Sequence, residues 1–524
     1  MHSLYKKGAT IGVLTMIVLS LGVVLISLEP IRSVSWQEIM SILEYHKGTI
    51  ARTLLLALGT SLGALALSII ATTGWFFAPK NMRGMVAFLL SFPLIIPPYI
   101  SSFSYSILLK SHVARSFMGN SPELHLMQAM GILSLCLYPY VFLLLVQRMR
   151  MIDPSQERII SLYPIGVLSK IQTLYFPHVR STLLSGFGIV FLYVIADFGA
   201  VSILRIDTIT TELYQALVRR FSYGEGSVLS GVLISISFGV LAIQSRLSGI
   251  GVISARKQDT MIDRGRNVHR VIALGMVSVL STLTLIVPFA MISVWFIQFI
   301  GSSSPLKEIW FDSQGMIEIV ITSLSIAMST SIMSPLLAFI ISSFGIISGT
   351  KYLIRFAYFS SVVLYGLPAL VIAVSLLTLK FLIPYGYSAG FIIMLIGYNL
   401  RFTGVSFMSL RPAIESIPPS YLSIGMTFLK GYRARLHTIV FPLVRTHLVQ
   451  SAHFIFFSSL RELTIPLILL PVGFQTLSVR IWATANEGLY IFASPFIVLL
   501  LVLSLPSFLW YSRSLNEHSE SPKL

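Results

Sequence analysis

The chain has 524 residues, 55% of them hydrophobic and only 11% charged, which excludes an ordinary soluble globular domain, where charged residues make up about a quarter. Its formal net charge of +17 admits a nucleic-acid partner only if Lys and Arg gather into one basic face. A hydrocarbon core about 30 Å thick takes roughly 20 apolar residues per helical span, and runs of that length recur along nearly the whole chain.

In chain order these runs predict spans over 10–28, 54–78, 84–109, 129–147, 181–204 and 227–245, then over 270–300, 318–346, 354–379, 384–402, 446–470 and 491–511. The fold class is therefore all-α, a polytopic membrane protein of about twelve helices, since backbone polar groups in lipid must be satisfied within helices. The run after Lys7 has the flank of a signal peptide, but it is long and no small-residue cleavage pattern follows, so it reads as the first helix. In the third run Pro97 and Pro98 break the helix, and Tyr99 and Tyr105 follow on a stretch placed to line a cavity. Packing and interfacial anchoring are the plainer account of both tyrosines. Cys136 is the single cysteine, which rules out an internal disulfide. Arg401, at the end of its apolar run, reads as a snorkelling cytoplasmic anchor. With the amino terminus inside, 25 of the 37 Lys and Arg fall on its side and 12 on the other, which places both termini in the cytoplasm. The basic excess then reads as topology and attraction to anionic lipid, with no nucleic-acid partner.

The chain repeats itself. "IDPSQERIISLYPIGVLSKIQTLYFP" from Ile152 aligns with "IPPSYLSIGMTFLKGYRARLHTIVFP" from Ile417, and Pro154/Pro419, Gly166/Gly431 and Pro177/Pro442 are all 265 positions apart. The same offset carries Asp197 onto Glu462. The expected organisation is a first repeat over 1–245, a cytoplasmic linker over 246–269 and a second repeat over 270–524. Six spans each, starting on the same side, make parallel repeats about an axis along the membrane normal.

Each copy of the repeated loop, about 150–180 and 411–445, is longer than packed helices need. Ile159, Leu162, Ile165 and Leu168 recur at helical spacing, as do Tyr421, Ile424 and Phe428. Glycine then interrupts, and a proline suits the first turn of the next helix. A helix, a turn and a second helix across the membrane face is expected in both copies, either floating in the headgroups or docking a partner with two equivalent sites.

These loops resemble the cytoplasmic signature loop of ABC importer permeases. More specifically, "DFGAVSILRIDTITTELYQA" from Asp197, "SSLRELTIPLILLPVGFQTLSVRIWATANEGLYIFASP" from Ser458, "PPYISSFSY" and "GYNLRFTGVSF" are similar to stretches of fused ferric-iron permeases. The resemblance covers essentially the whole chain and implies a type I importer-like permease of a bacterial inner membrane. It implies two cytoplasmic ATPase subunits that seat the loops and a periplasmic ferric-iron-binding protein that delivers Fe³⁺. It further implies that the chain is not itself an enzyme and binds no cofactor, with ATP and Mg held by the partner ATPase. In agreement, no phosphate loop of the form G-x-x-x-x-G-K followed by Ser or Thr is present. The ATPase-coupling residues it implies are Pro154, Glu157, Arg158, Gly166, Pro177, Pro419, Ser423, Gly431 and Pro442. The loops depart from the family pattern, because its Glu position falls on Arg158 and Ser423 and its Gly on Pro164 and Leu429.

Ionisable groups within spans are costly, so Asp197 and Glu462 need partners or water. Hard Fe³⁺ prefers oxygen ligands, and the two acids, with Tyr99 and Tyr105, are the candidate substrate-pathway residues. The alternative is that each acid is solvated at the outer end of its span or paired with Arg205 or Arg461. No residue set reads as a resident metal site, and His453 stands without a second His or Cys at ligand spacing. Other cargoes such as thiamine, phosphonate or a polyamine are alternatives within transport. An ion-gradient-driven carrier or a structural membrane protein would be alternatives outside it.

Overall fold

The computed structural model describes residues 21–109, 122–150, 171–247, 267–303, 313–348, 363–382, 387–415, 417–429 and 431–517, with 152, 155, 156, 159, 169 and 361 between them. Among these residues every regular element is a helix. Helix α1 (Trp36–Phe77) starts at a capping box, where Ser35 accepts from the Glu38 amide and the Glu38 carboxylate accepts from the Ser35 amide. Helix α2 (Arg83–Ser91) runs on through a tight turn to Ile95, and α3 (Pro98–Leu109) leaves it at an angle of 88°. Neither Pro97 nor Pro98 has an amide hydrogen to donate. The Pro97 carbonyl accepts from Ile100 and Ser101 and so starts a new helix.

Helices α4 (Pro122–Arg150) and α5 (Phe176–Ala196) pack with α1 into a first bundle. Two short helices, α6 (Gly199–Ile203) and α7 (Ile209–Tyr214), lead to the long α8 (Tyr223–Leu247). A wider π-helical turn at Thr282–Ile286 joins α9 (Asn267–Ser281) to α10 (Val287–Gly301). The second series comprises α11 (Ser313–Ser348), α12 (Ala369–Leu382), α13 (Tyr387–Glu415), α14 (Pro419–Phe428) and α15 (Tyr432–Arg435). It ends with α16 (Phe441–Leu460), α17 (Thr464–Leu469), α18 (Leu477–Asn486) and α19 (Tyr490–Glu517).

Among the described residues nine helices are long and apolar enough to cross a membrane, or ten with the bent pair α2 and α3 as one span. The chain is an all-α polytopic membrane protein. Nine of the twelve expected spans correspond to these nine helices, the expected span at 84–109 corresponds to the bent pair, and two expected spans have no such counterpart among the described residues. Residues 10–20 of the expected first span lie outside the described residues, as do 248–266 of the expected linker. Of the expected span at 354–379, residues 354–360 and 362 lie outside the described residues, and the apolar stretch described there, Ala369–Thr378 of α12, is shorter than a crossing needs. On α1 the side chains of Leu55, Leu58, Leu62 and Ile69 are exposed while Leu56, Ala57, Ala64 and Ala71 are buried. That stripe is what a helix with one lipid-facing and one bundle-facing side presents.

Lipid tails are as apolar as leucine, so helices in a membrane associate through close approach and hydrogen bonds. Between α1 and α4, Ser134 donates to the Thr60 carbonyl at 3.1 Å. A Cβ at Gly59 or Gly63 would lie 2.3 Å and 2.4 Å from the Met130 and Ser134 side chains. Asn399, 265 positions after Ser134, accepts from Ser334 of α11 at 2.9 Å. Other local features recur likewise. Helices α4 and α13 are both 29 residues long, and π-helical turns at Ile171–Tyr175 and Leu436–Val440 precede Pro177 and Pro442.

Candidate functional site

Asp197 and Glu462 stand at breaks where a long helix gives way to a short one. Helix α5 ends at Ala196, and the Asp197 carboxylate accepts from the amides of Ala200 and Val201 at 2.9 Å and 3.2 Å, capping α6. Beyond the end of α16, one Glu462 oxygen accepts from the Thr464 amide at 3.2 Å. The backbone behind each acid is tied down in the same way. Thr210 donates to the Asp197 carbonyl at 2.8 Å and Ser478 to the Glu462 carbonyl at 2.7 Å. The amides of Ile209 and Leu477 donate to Thr53 and Ser323 at 3.0 Å and 2.8 Å.

The two breaks face each other. A Cβ on Gly199 would lie 2.9 Å from Leu463 and 3.3 Å from the Tyr99 ring, so only glycine lets the segments approach this closely. Trp482 of α18 donates its indole hydrogen to Ser202 at 2.9 Å and packs its ring on Phe198. Asp197 lies within electrostatic reach of Glu462 and Arg401. Arg401 Nε is 3.2 Å from Glu462 Oε2, with the side chains 15% and 10% exposed. Arg461 donates to the carbonyls of Leu94 and Phe457 and lies over the Phe457 ring.

Tyr99 is 4% exposed, has Arg461 and Glu462 as charged neighbours, and its hydroxyl has no hydrogen-bond partner among the described residues. Tyr193, Tyr365 and Tyr398 face the same charged groups. Those three were missed by sequence reasoning, because a tyrosine inside an apolar run carries no signal that separates a cluster member from a packing residue. Tyr105 is placed differently, for its hydroxyl donates to the Leu283 carbonyl and is thereby taken up. His453 stacks on Trp510 at 4.3 Å. Among the described residues no three His, Cys, Asp or Glu side chains are grouped to hold a metal ion.

The reading of Arg401 as a cytoplasmic anchor is corrected by the structure. Its helix runs from Tyr387 to Glu415, so Arg401 lies mid-helix. An apolar run stops at the first charge it meets, whereas a helix continues when that charge finds a carboxylate. Glu462 pairs with this distant residue, while the adjacent Arg461 turns to backbone carbonyls and Arg205 is exposed.

Of the repeated loops, Pro154, Glu157, Arg158 and Gly166 lie outside the described residues, and Pro177 is exposed in the first turn of α5. The second copy is described. Pro419 opens α14, Ser423 is exposed and donates to the Ser420 carbonyl at 2.9 Å, and Pro442 is exposed in the first turn of α16. Gly431 turns the chain with φ 98° and ψ 159°, a region essentially closed to other residues. Tyr421, Ile424 and Phe428 present an apolar face 51%, 53% and 77% exposed.

No protein-family model matches the chain. Over 481 residues, 88% of its own length and 88% of the relative's, it is 23% identical to the Fe(3+)-transport system permease protein FbpB 2 of Haemophilus influenzae. The resemblance to ferric-iron permeases is borne out. A permease-like match of this length takes in both copies of the repeated loop and the buried cluster after the first.

Proposed function

We propose that the chain is the membrane-spanning permease of an ATP-driven importer for ferric iron. The observation that carries this reading is the pair of carboxylates at facing helix breaks, with a phenol beside them that has no hydrogen-bond partner among the described residues, inside a chain similar to a ferric-iron permease. Carboxylate and phenol oxygens suit a hard cation, and non-helical backbone within a membrane is tolerated where it is buried in protein or lines a cavity. Asp197, Glu462 and Tyr99 form the pathway, and Tyr105 packs beside it.

In this reading residues 1–245 and 270–524 are parallel repeats joined by the linker 246–269, both termini are cytoplasmic, and the membrane is a bacterial inner membrane. Helix α14 and its counterpart in the first loop seat in two ATPase subunits, which hold ATP and Mg and carry out hydrolysis. A periplasmic binding protein supplies the iron. Closure of the ATPases moves the two loops, and the halves rock about the central path. The recurring π-helical turns, near the end of each loop, are where a helix most easily gives.

The test is uptake of radioactive Fe³⁺ by cells whose own copy is replaced by variants. Glu462→Gln and Asp197→Asn are expected to lower uptake with normal amounts of chain in the membrane. Wild-type uptake by both variants would remove the pathway role, and undiminished uptake by cells lacking the chain would remove the cargo.

A further inference from the structure

The formal charges of the four ionisable side chains at the facing breaks cancel, Asp197 and Glu462 against Arg401 and Arg461. A bare trivalent ion among them would bring three positive charges into a water-poor setting with no surplus anion to meet them, and an uncompensated buried charge is prohibitive. Arg461 is occupied by two carbonyls and an aromatic face. Arg401 is not, since its Nε lies 3.2 Å from Glu462 Oε2 as an ion pair while neither that Nε nor the buried Nη1 has a hydrogen-bond partner among the described residues. The Tyr99 hydroxyl, on a side chain more than nine-tenths buried, is a second donor without an acceptor among the described residues. Buried donors are rarely left unmet, and two of them beside a cation path describe the seat of an oxyanion. A guanidinium presents a fork that fits two oxygens of one anion, and a phenol adds a third contact.

Resting on the reading of this cluster as the ferric pathway, we infer that Fe³⁺ crosses it together with a small oxyanion bearing phosphate or carboxylate oxygens, seated by Arg401 and Tyr99. As the anion engages Arg401, the guanidinium leaves Glu462, and that carboxylate joins Asp197 in facing the iron. The position 265 residues before Arg401 is Cys136, so the repeat supplies one such seat and one anion accompanies each ion.

The experiment uses the full-length chain in lipid nanodiscs, equilibrated by gel filtration with ferric citrate labelled in iron and carbon, then with ferric pyrophosphate labelled in iron and phosphorus. Iron and anion are expected to co-elute with the protein in equal amounts for at least one chelate, and the two arms tell carboxylate from phosphate chemistry. Losing a hydrogen bond to a charged group costs about tenfold in affinity, so Tyr99→Phe, which removes a single hydroxyl, is expected to weaken retention of both labels by about that factor. Arg401→Gln should lose both labels, and Arg401→Lys, which keeps charge without the fork, should fall between. Retention of iron without anion, retention of neither label, or retention unchanged in both Tyr99→Phe and Arg401→Gln overturns the inference. If cells still need the chain for iron uptake, such a result removes the anion alone. If they do not, the pathway reading has failed on its own test.

Discussion

At Gly404 α13 passes close against a neighbouring backbone, because a Cβ there would sit 2.3 Å from the Ser361 carbonyl oxygen. A backbone oxygen cannot rotate away as a side chain can, so Gly404→Ala must push helices apart at a cost of about 1–3 kcal/mol. Gly48, in the interior of α1, has nothing within 4 Å, and Ala there should raise helix stability by about 0.5–1 kcal/mol. Thermal unfolding of the two variants in the same detergent is expected to move in opposite directions. Equal shifts would mean that close approach at Gly404 is not what holds α13. Neither glycine is distinguishable in the sequence, since both lie just outside the apolar runs and differ only in what another segment brings to them. The same limit explains the chemistry. Asp197 and Glu462 were legible because an offset aligns them and an acid in an apolar run stands out. Arg401 was visible as a charge but not as their partner, since pairing is a property of two distant helices.

At the scale of the element, run length located the crossings well, and two prolines with no amide hydrogen announced the bend between α2 and α3. The second loop was equally readable. The Tyr421, Ile424 and Phe428 spacing makes α14, and the glycine after it makes the turn. What the sequence could not give is the side on which that spacing faces. In the structure the apolar face is exposed, which is what the proposed docking to an ATPase subunit requires. Because α14 is carried on Gly431, whose φ 98° and ψ 159° lie in a region that costs other residues about 1–3 kcal/mol, its direction depends on that glycine. Asparagine tolerates the ordinary left-handed region but not this one. Both Gly431→Ala and Gly431→Asn are therefore expected to leave the chain in the membrane while reducing iron uptake severalfold and weakening co-purification with the ATPase. Rescue by Asn would show that an ordinary left-handed turn suffices.

At the scale of the whole molecule the two halves are alike in backbone and unlike in charge. Caps, π-helical turns and the ties behind each acid recur, yet the guanidinium that meets Glu462 has a buried thiol, Cys136, as its counterpart near Asp197. Among the described residues Glu462 is paired with a guanidinium at 3.2 Å, while the hydrogen bonds to the Asp197 carboxylate come from backbone amides. If that inequality is part of the mechanism, making the halves alike should stop transport. Cys136→Arg supplies Asp197 with a guanidinium, and breaking a buried ion pair costs about 3–5 kcal/mol, so uptake of radioactive Fe³⁺ should fall by tenfold or more with normal amounts in the membrane. Bulk alone is controlled by Cys136→Met, which fills similar space without charge and is expected to keep most of the activity. The double variant Cys136→Arg with Arg401→Cys exchanges the two sides. It restores one held and one open carboxylate, and should regain uptake that neither single variant shows. Equal loss in Cys136→Met and Cys136→Arg would reduce the asymmetry to packing, and the cluster would then work as a symmetric pair.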